Sequence, residues 1–132
     1  SMKAKFGMVV EISADQDVHP VSEEVYLCLY RATQELLFNI VKHAGTLRAE
    51  VRIENAGEQS VRLTIRDGGT GFSFDSKADG DKKGNGVGLF GIRERIENLG
   101  GQMTIMSSCE RGAMVVLTAP ARGDDASHSG AV

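Results

Sequence analysis

Apolar positions recur along the chain with two spacings, and each spacing predicts a different element. Val25, Leu29, Ala32, Leu36 and Ile40 fall on one side at the 3.6-residue period, which predicts a long amphipathic helix. Ser22 stands as its N-cap with Glu23 and Glu24 behind it, and Gly45 stops it after Ala44. From Arg48 to Asn55 the period drops to two. Ala49, Val51 and Ile53 alternate with Arg48, Glu50, Arg52 and Glu54, the pattern of a half-buried strand. Ser60 to Arg66 repeats it through Val61, Leu63 and Ile65, and the turn Ala56 to Gln59, with Gly57, makes the two an antiparallel hairpin. Lys5 to Ile12, carrying Val9, Val10 and Ile12, reads as an earlier strand, followed by a polar loop from Asp15 to Pro20. Val87 to Leu99 predicts a second helix, with Leu89, Ile92, Ile96 and Leu99 on one face and Gly100-Gly101 at its end. Gln102 to Ser107 and Gly112 to Thr118 form a last hairpin around Cys109-Glu110-Arg111.

The segments between set the domain limits. Ser1 to Ala4 is expected to be a leader, Ser1-Met2 having the look of an expression scar, and Lys5 to Pro120 is expected to form one domain. Ser73 to Gly86 is polar, charged and aperiodic, so about 73–87 is expected to be a mobile lid. Ala121 to Val132 is small and polar and is expected to be a disordered tail. The order of elements predicts an α+β two-layer sandwich. Its sheet is mixed but mostly antiparallel, with strands pairing as neighbours and helices covering one face.

Composition narrows the function. A chain of 132 residues that is 41% hydrophobic and 25% charged is an ordinary globular domain. Its net charge of −3 argues against a protein that works by coating nucleic acid. No apolar run approaches the ~18 residues of a membrane span. Cys28 and Cys109 make no disulfide scaffold and read as reduced thiols of a cytoplasmic protein.

Three polar constellations carry the chemistry. On the long helix, Glu35, Asn39, Lys42 and His43 stand at i, i+4, i+7 and i+8, within about 100° of arc beside the apolar stripe. They offer a carboxylate to orient water or take a proton, an amide oxygen suited to Mg²⁺, and two groups suited to phosphate. Taken alone, the same stripe also fits a solvated helix face. Asp67-Gly68-Gly69-Thr70-Gly71-Phe72 follows a strand, and its glycines permit a ligand close to the backbone where a plain turn would need fewer of them. Gly84-Asn85-Gly86-Val87-Gly88-Leu89 runs into a helix whose first N–H groups suit an anion. Gly86, Gly88 and Gly91 also spell G-x-G-x-x-G, but a polar loop precedes them and a hairpin follows, which excludes a dinucleotide-binding βαβ unit.

In this order the three constellations resemble those of the Bergerat-fold ATPases. Over roughly Lys5 to Pro120 the chain is most similar to the catalytic ATP-binding domain of two-component sensor histidine kinases. Tyr30 to Ala44 resembles their N box. Gly86-Val87-Gly88-Leu89-Phe90-Gly91-Ile92-Arg93-Glu94-Arg95-Ile96, with Leu99-Gly100-Gly101, resembles the nitrate/nitrite-sensor-like subgroup.

The resemblance implies Mg²⁺ on Asn39, an orienting or proton-accepting role for Glu35, and phosphate contacts from Lys42 and His43. It implies an adenine-amine contact from Asp67 and room for base and ribose at Gly69 and Gly71, with Phe72 beside them. It places Gly84, Gly86, Val87, Gly88 and Leu89 at the end of an ATP lid facing phosphate, with Lys82 and Lys83 as approximate lid cations. Two positions depart from the pattern: Gly68 stands where relatives often carry Asn, and Ala113 where many carry Thr. The implied reaction moves the γ-phosphoryl of ATP to a histidine on a separate dimerisation domain, with a response regulator as indirect partner. Such a domain alone is expected to be a monomer that does not phosphorylate itself, from a parent that is membrane-anchored in most of the family. Two alternatives share the fold: a free-standing serine kinase of the anti-sigma-factor type, and a non-catalytic module whose lid is ordered by nucleotide. The Arg93-Glu94-Arg95 pattern favours the sensor kinase over the first.

Overall fold

Ser22 begins the helical layer as its spacing predicts. Its Oγ accepts the N–H of Val25 at 3.2 Å and its carbonyl accepts the N–H of Tyr26 at 2.9 Å, which seeds helix α1, Glu23–His43. The computed structural model describes residues 9–43, 48–68, 88–108 and 112–123, without the side chains of 43, 107 and 108. The expected lid at 73–87 and the glycine boxes within 69–87 lie outside the described residues. The remaining elements are β1 (Val9–Ala14), β2 (Arg48–Asn55), β3 (Ser60–Asp67), α2 (Leu89–Asn98), β4 (Gln102–Ser108) and β5 (Gly112–Pro120).

These strands form one five-stranded sheet in the order β1-β2-β3-β5-β4. The β1–β2 pair is parallel, joined through α1, and the other three pairs are antiparallel. The mixed, mostly antiparallel sheet is therefore the one expected, with one correction. Strands do not all pair with their sequence neighbours: β3 pairs with β5, because α2 carries the chain across to the edge and the last hairpin returns inward.

Several ends move by one or two residues. The first strand runs on to Ala14, whose ladder partner is Ile53, while 5–8 lie outside the described residues. The second helix starts at Leu89, with Gly88 as its N-cap. The last strand reaches Pro120, paired with Ser60. Ala121 to Gly123, expected at the head of a disordered tail, instead form a turn. Ala121 is buried, donates its N–H to Gln59 O at 2.7 Å and accepts the N–H of Ser22 at 2.8 Å.

One core lies between the layers. The stripe of α1 (Val25, Leu29, Ala32, Leu36, Ile40) and the face of α2 (Leu89, Ile92, Ile96) pack on Val61, Leu63 and Ile65 of β3 and Val115, Leu117 and Ala119 of β5. Burial of this apolar face, at roughly 25 cal/mol per Å², is the main force holding helices to sheet. Gly101 is required where α2 hands over to β4. A Cβ there would collide with the carbonyl oxygen of Thr118 and stand 3.1 Å from Ala119 Cα.

Candidate functional site

The two helices run antiparallel along the sheet, and their ends define where a site can form. Helix α1 starts over the end of β5, where Ser22 bonds Ala121. Helix α2 finishes at the same end, where Gly101 packs on Thr118 and Ala119. The last turns of α1 and the first turn of α2 consequently share the opposite end of the molecule. That is also the end to which β3 delivers Asp67 and Gly68, with Gly68 N–H bonded to Arg48 O at 2.8 Å.

On α1, Arg31, Glu35, Asn39 and Lys42 continue the flank that Glu24, Leu27 and Cys28 turn toward α2 lower down, at i+3 and i+4 spacing. Glu35 and Asn39 are half-buried. Among the described residues neither side chain makes a hydrogen bond or an ion pair. Their oxygens are open to a ligand, and a hard amide oxygen beside a carboxylate is a donor set that fits Mg²⁺ with its retained waters. Lys42 lies beside them with its Nζ 5.2 Å from the centroid of the Phe38 ring, a cation–π contact that parks the ammonium on its own helix. His43 is in the last turn of α1, and its side chain is not among those described.

Asp67 is the one buried charged residue among the described residues, 1% exposed. Its Oδ2 accepts the N–H of Ala113 at 2.9 Å. A carboxylate has about four acceptor positions, and this bond fixes the orientation of the group on β3. Asp67 and Ala113 lie on the helix-facing side of β3 and β5, in register with Ala49. Ala113 is thus a positioning residue that the sequence did not reveal. Its part is played by a backbone N–H, and only the β3–β5 register brings it there. The missing Thr hydroxyl at 113 does not disturb this bond. The second departure is also accommodated: a Cβ at Gly68 would meet the Arg48 side-chain carbons at 3.1–3.3 Å, so the Arg48 stem occupies the space a side chain there would take.

Helix α2 presents its N-terminus to the same end. Gly88 caps it without a side chain, its carbonyl accepting the N–H of Ile92 at 3.0 Å, and Leu89 anchors the first turn in the core. The first N–H groups of such a helix have no intrahelical partners and favour an anion. Of the expected site residues, Glu35, Asn39, Lys42, Asp67, Gly88 and Leu89 are therefore gathered at one end of the two helices. Gly69, Gly71, Phe72, Gly84, Gly86 and Val87 lie outside the described residues. Among the described residues no group of three or more His, Cys, Asp or Glu side chains is placed to hold a metal. A cation here would accordingly lean on Asn39, water and ligand oxygens.

Comparison with known proteins gives the family and the fold. Residues 24–123 match the family described as histidine kinase-, DNA gyrase B-, and HSP90-like ATPase. The chain is 34% identical over 115 residues to the oxygen sensor histidine kinase NreB of Staphylococcus carnosus (strain TM300), covering 87% of this chain and 32% of that protein. It is 35% identical over 119 residues to the signal transduction histidine-protein kinase/phosphatase DegS of Bacillus subtilis (strain 168), covering 90% and 29%. The chain thus spans about a third of the length of these curated relatives. Among solved structures, a mycobacterial sensor histidine kinase, MprB, superposes with a TM-score of 0.67 at 18% identity, covering 92% of this chain and 88% of that one. The Acinetobacter baumannii histidine kinase AdeS superposes with a TM-score of 0.69 at 16% identity, covering 90% and 57%. Fold and sequence agree, and the chain belongs to the histidine kinase-, DNA gyrase B- and HSP90-like ATPase family.

Proposed function

We propose that this chain is the ATP-binding catalytic domain of a sensor histidine kinase, working in the cytoplasm on a histidine carried by a separate helical domain of its parent. The observation that carries the proposal is the convergence of Glu35, Asn39 and Asp67 with the N-terminus of α2. The similarity to NreB and DegS supports a histidine as the acceptor.

Each residue then has a physical task. Asp67, fixed by Ala113, accepts the exocyclic amine of adenine and so sets which base is held. The free N–H groups at the start of α2 face phosphate oxygens, and Lys42 reaches them once it leaves the Phe38 ring. Asn39 would hold Mg²⁺, which supplies charge neutralisation on the triphosphate when bound. Glu35 orients the acceptor imidazole and accepts its proton. The imidazole nitrogen forms the new bond to the γ-phosphorus, the bond from that phosphorus to its bridging oxygen breaks, and ADP leaves. The domain contributes position and electrostatics to this transfer more than covalent chemistry.

The test is phosphotransfer in trans to the histidine-bearing domain of the parent, using labelled ATP and purified Glu35→Gln. The variant is expected to keep nucleotide affinity and to lose about 10²–10⁴-fold in transfer rate. Unchanged transfer would remove Glu35 from the mechanism and favour a module in which nucleotide acts only as a structural ligand.

A further inference from the structure

Helices α1 and α2 flank a groove of about 320 Å³ that begins one helical turn below Glu35, at Arg31, and runs toward the start of α1. Leu27, Cys28 and Leu99 are its apolar lining, and Arg31 and Arg95 line it from opposite helices. Among the described residues neither arginine forms an ion pair, although three other arginine–carboxylate contacts do form on the sheet. The groove is polarised. Glu24 stands seven residues before Arg31 on α1, about 10 Å along the helix axis, and Asn98 closes the same end from the last turn of α2. The cationic end therefore points toward the nucleotide end of the helices, and the carboxylate lies at the other.

We infer that this groove is a second binding site, for a small amphipathic anion whose carboxylate meets Arg31 and Arg95 and whose apolar body lies on Leu27, Cys28 and Leu99. The volume is at the lower end of the range for small-molecule pockets, and apolar residues with few convergent polar groups are their usual lining. Two guanidinium groups with no ion pair among the described residues supply the charge complementarity at one end of the groove. The Cys28 thiol serves as part of the apolar lining. Its acidity is weakened chiefly by burial and further by Glu24, with Arg95 opposing, so it stays neutral near pH 7.

The experiment is a titration of the chain with octanoate, with 1-octanol and octylamine as neutral and cationic counterparts, followed by backbone amide shifts in NMR. Octanoate is expected to move the amides of Leu27, Cys28, Asn98 and Leu99 saturably and to bind about fivefold more tightly than octanol, the worth of one exposed ion pair. In Arg31→Gln/Arg95→Gln, which changes two exposed side chains, octanoate should fall to the level of octanol. Equal binding of all three compounds, or saturable shifts confined to other surfaces, would overturn the assignment, as would no shift at millimolar octanoate. None of these readouts depends on ATP, so failure here is separable from failure of the nucleotide reading.

Discussion

Asp67 is a buried charge oriented by the backbone N–H of Ala113, and the consequences can be drawn at the level of atoms. In Asp67→Asn the amide oxygen would keep the Ala113 N–H, which puts an NH₂ donor where the second carboxylate oxygen stood. A donor would then face the adenine amine, itself a donor. Nucleotide affinity should drop by about 10- to 150-fold, the loss of a hydrogen bond to a charged group, with the fold preserved because shape and the Ala113 bond survive. Isothermal titration with a non-hydrolysable ATP analogue, beside a circular dichroism spectrum, measures both halves of the expectation. Cys28 gives a second atomic consequence. Burial raises its pKa above the ordinary 9.0, so the folded chain holds the thiol proton where the unfolded chain releases it. That preference costs nothing below pH 9.0 and lowers stability as pH rises through and beyond it, because the unfolded state then binds fewer protons. The melting temperature of the parent chain should fall more steeply above pH 9.0 than that of Cys28→Ala, and parallel slopes would refute the linkage.

Elements were legible where a local pattern decided them and illegible where a distant partner did. Helix α1 follows from its own apolar period and from Ser22, and the β2–β3 hairpin from strict alternation around Gly57. The Glu35 and Asn39 pair was visible because helix periodicity alone places both on one flank. By contrast, the pairing of β3 with β5 depends on where α2 lays the chain down, and no local signal encodes it. The orientation of Asp67 by Ala113 was hidden for the same reason, since 46 residues separate the two. The ordering of Ala121 to Gly123 was missed because small polar residues resemble a tail until Ala121 is seen bridging Gln59 and Ser22. Two element-level predictions follow from these junctions. Ser22→Ala removes the cap on α1 and should cost about 1 kcal/mol in urea denaturation, whereas Ser22→Asp should retain most of the stability. Gly101→Ala forces a methyl group against the Thr118 carbonyl and should cost about 1–3 kcal/mol, with Gly57→Ala at an open turn as a control that strains only its own backbone.

On the scale of the whole molecule, a nucleotide at the converging end would bridge α1, α2 and β3, which share one apolar core. Ligand binding to the folded state alone raises stability by about 2.7 kcal/mol at 100 times the dissociation constant. For a domain of this size that corresponds to a rise in melting temperature on the order of 10 °C. The same saturating Mg²⁺-ATP analogue should shift Glu35→Gln as far as the parent chain if, as proposed, Glu35 acts on the acceptor and not on the nucleotide. In Asp67→Asn the shift should shrink at equal concentration and return only when nucleotide is raised in proportion to the lost affinity. This pattern separates the two carboxylates. If both variants lost the shift, Glu35 would be holding nucleotide and the proposed division of roles would fail. If neither did, adenine would be held somewhere other than Asp67, and the convergence of α1, α2 and β3 would be a feature of packing alone.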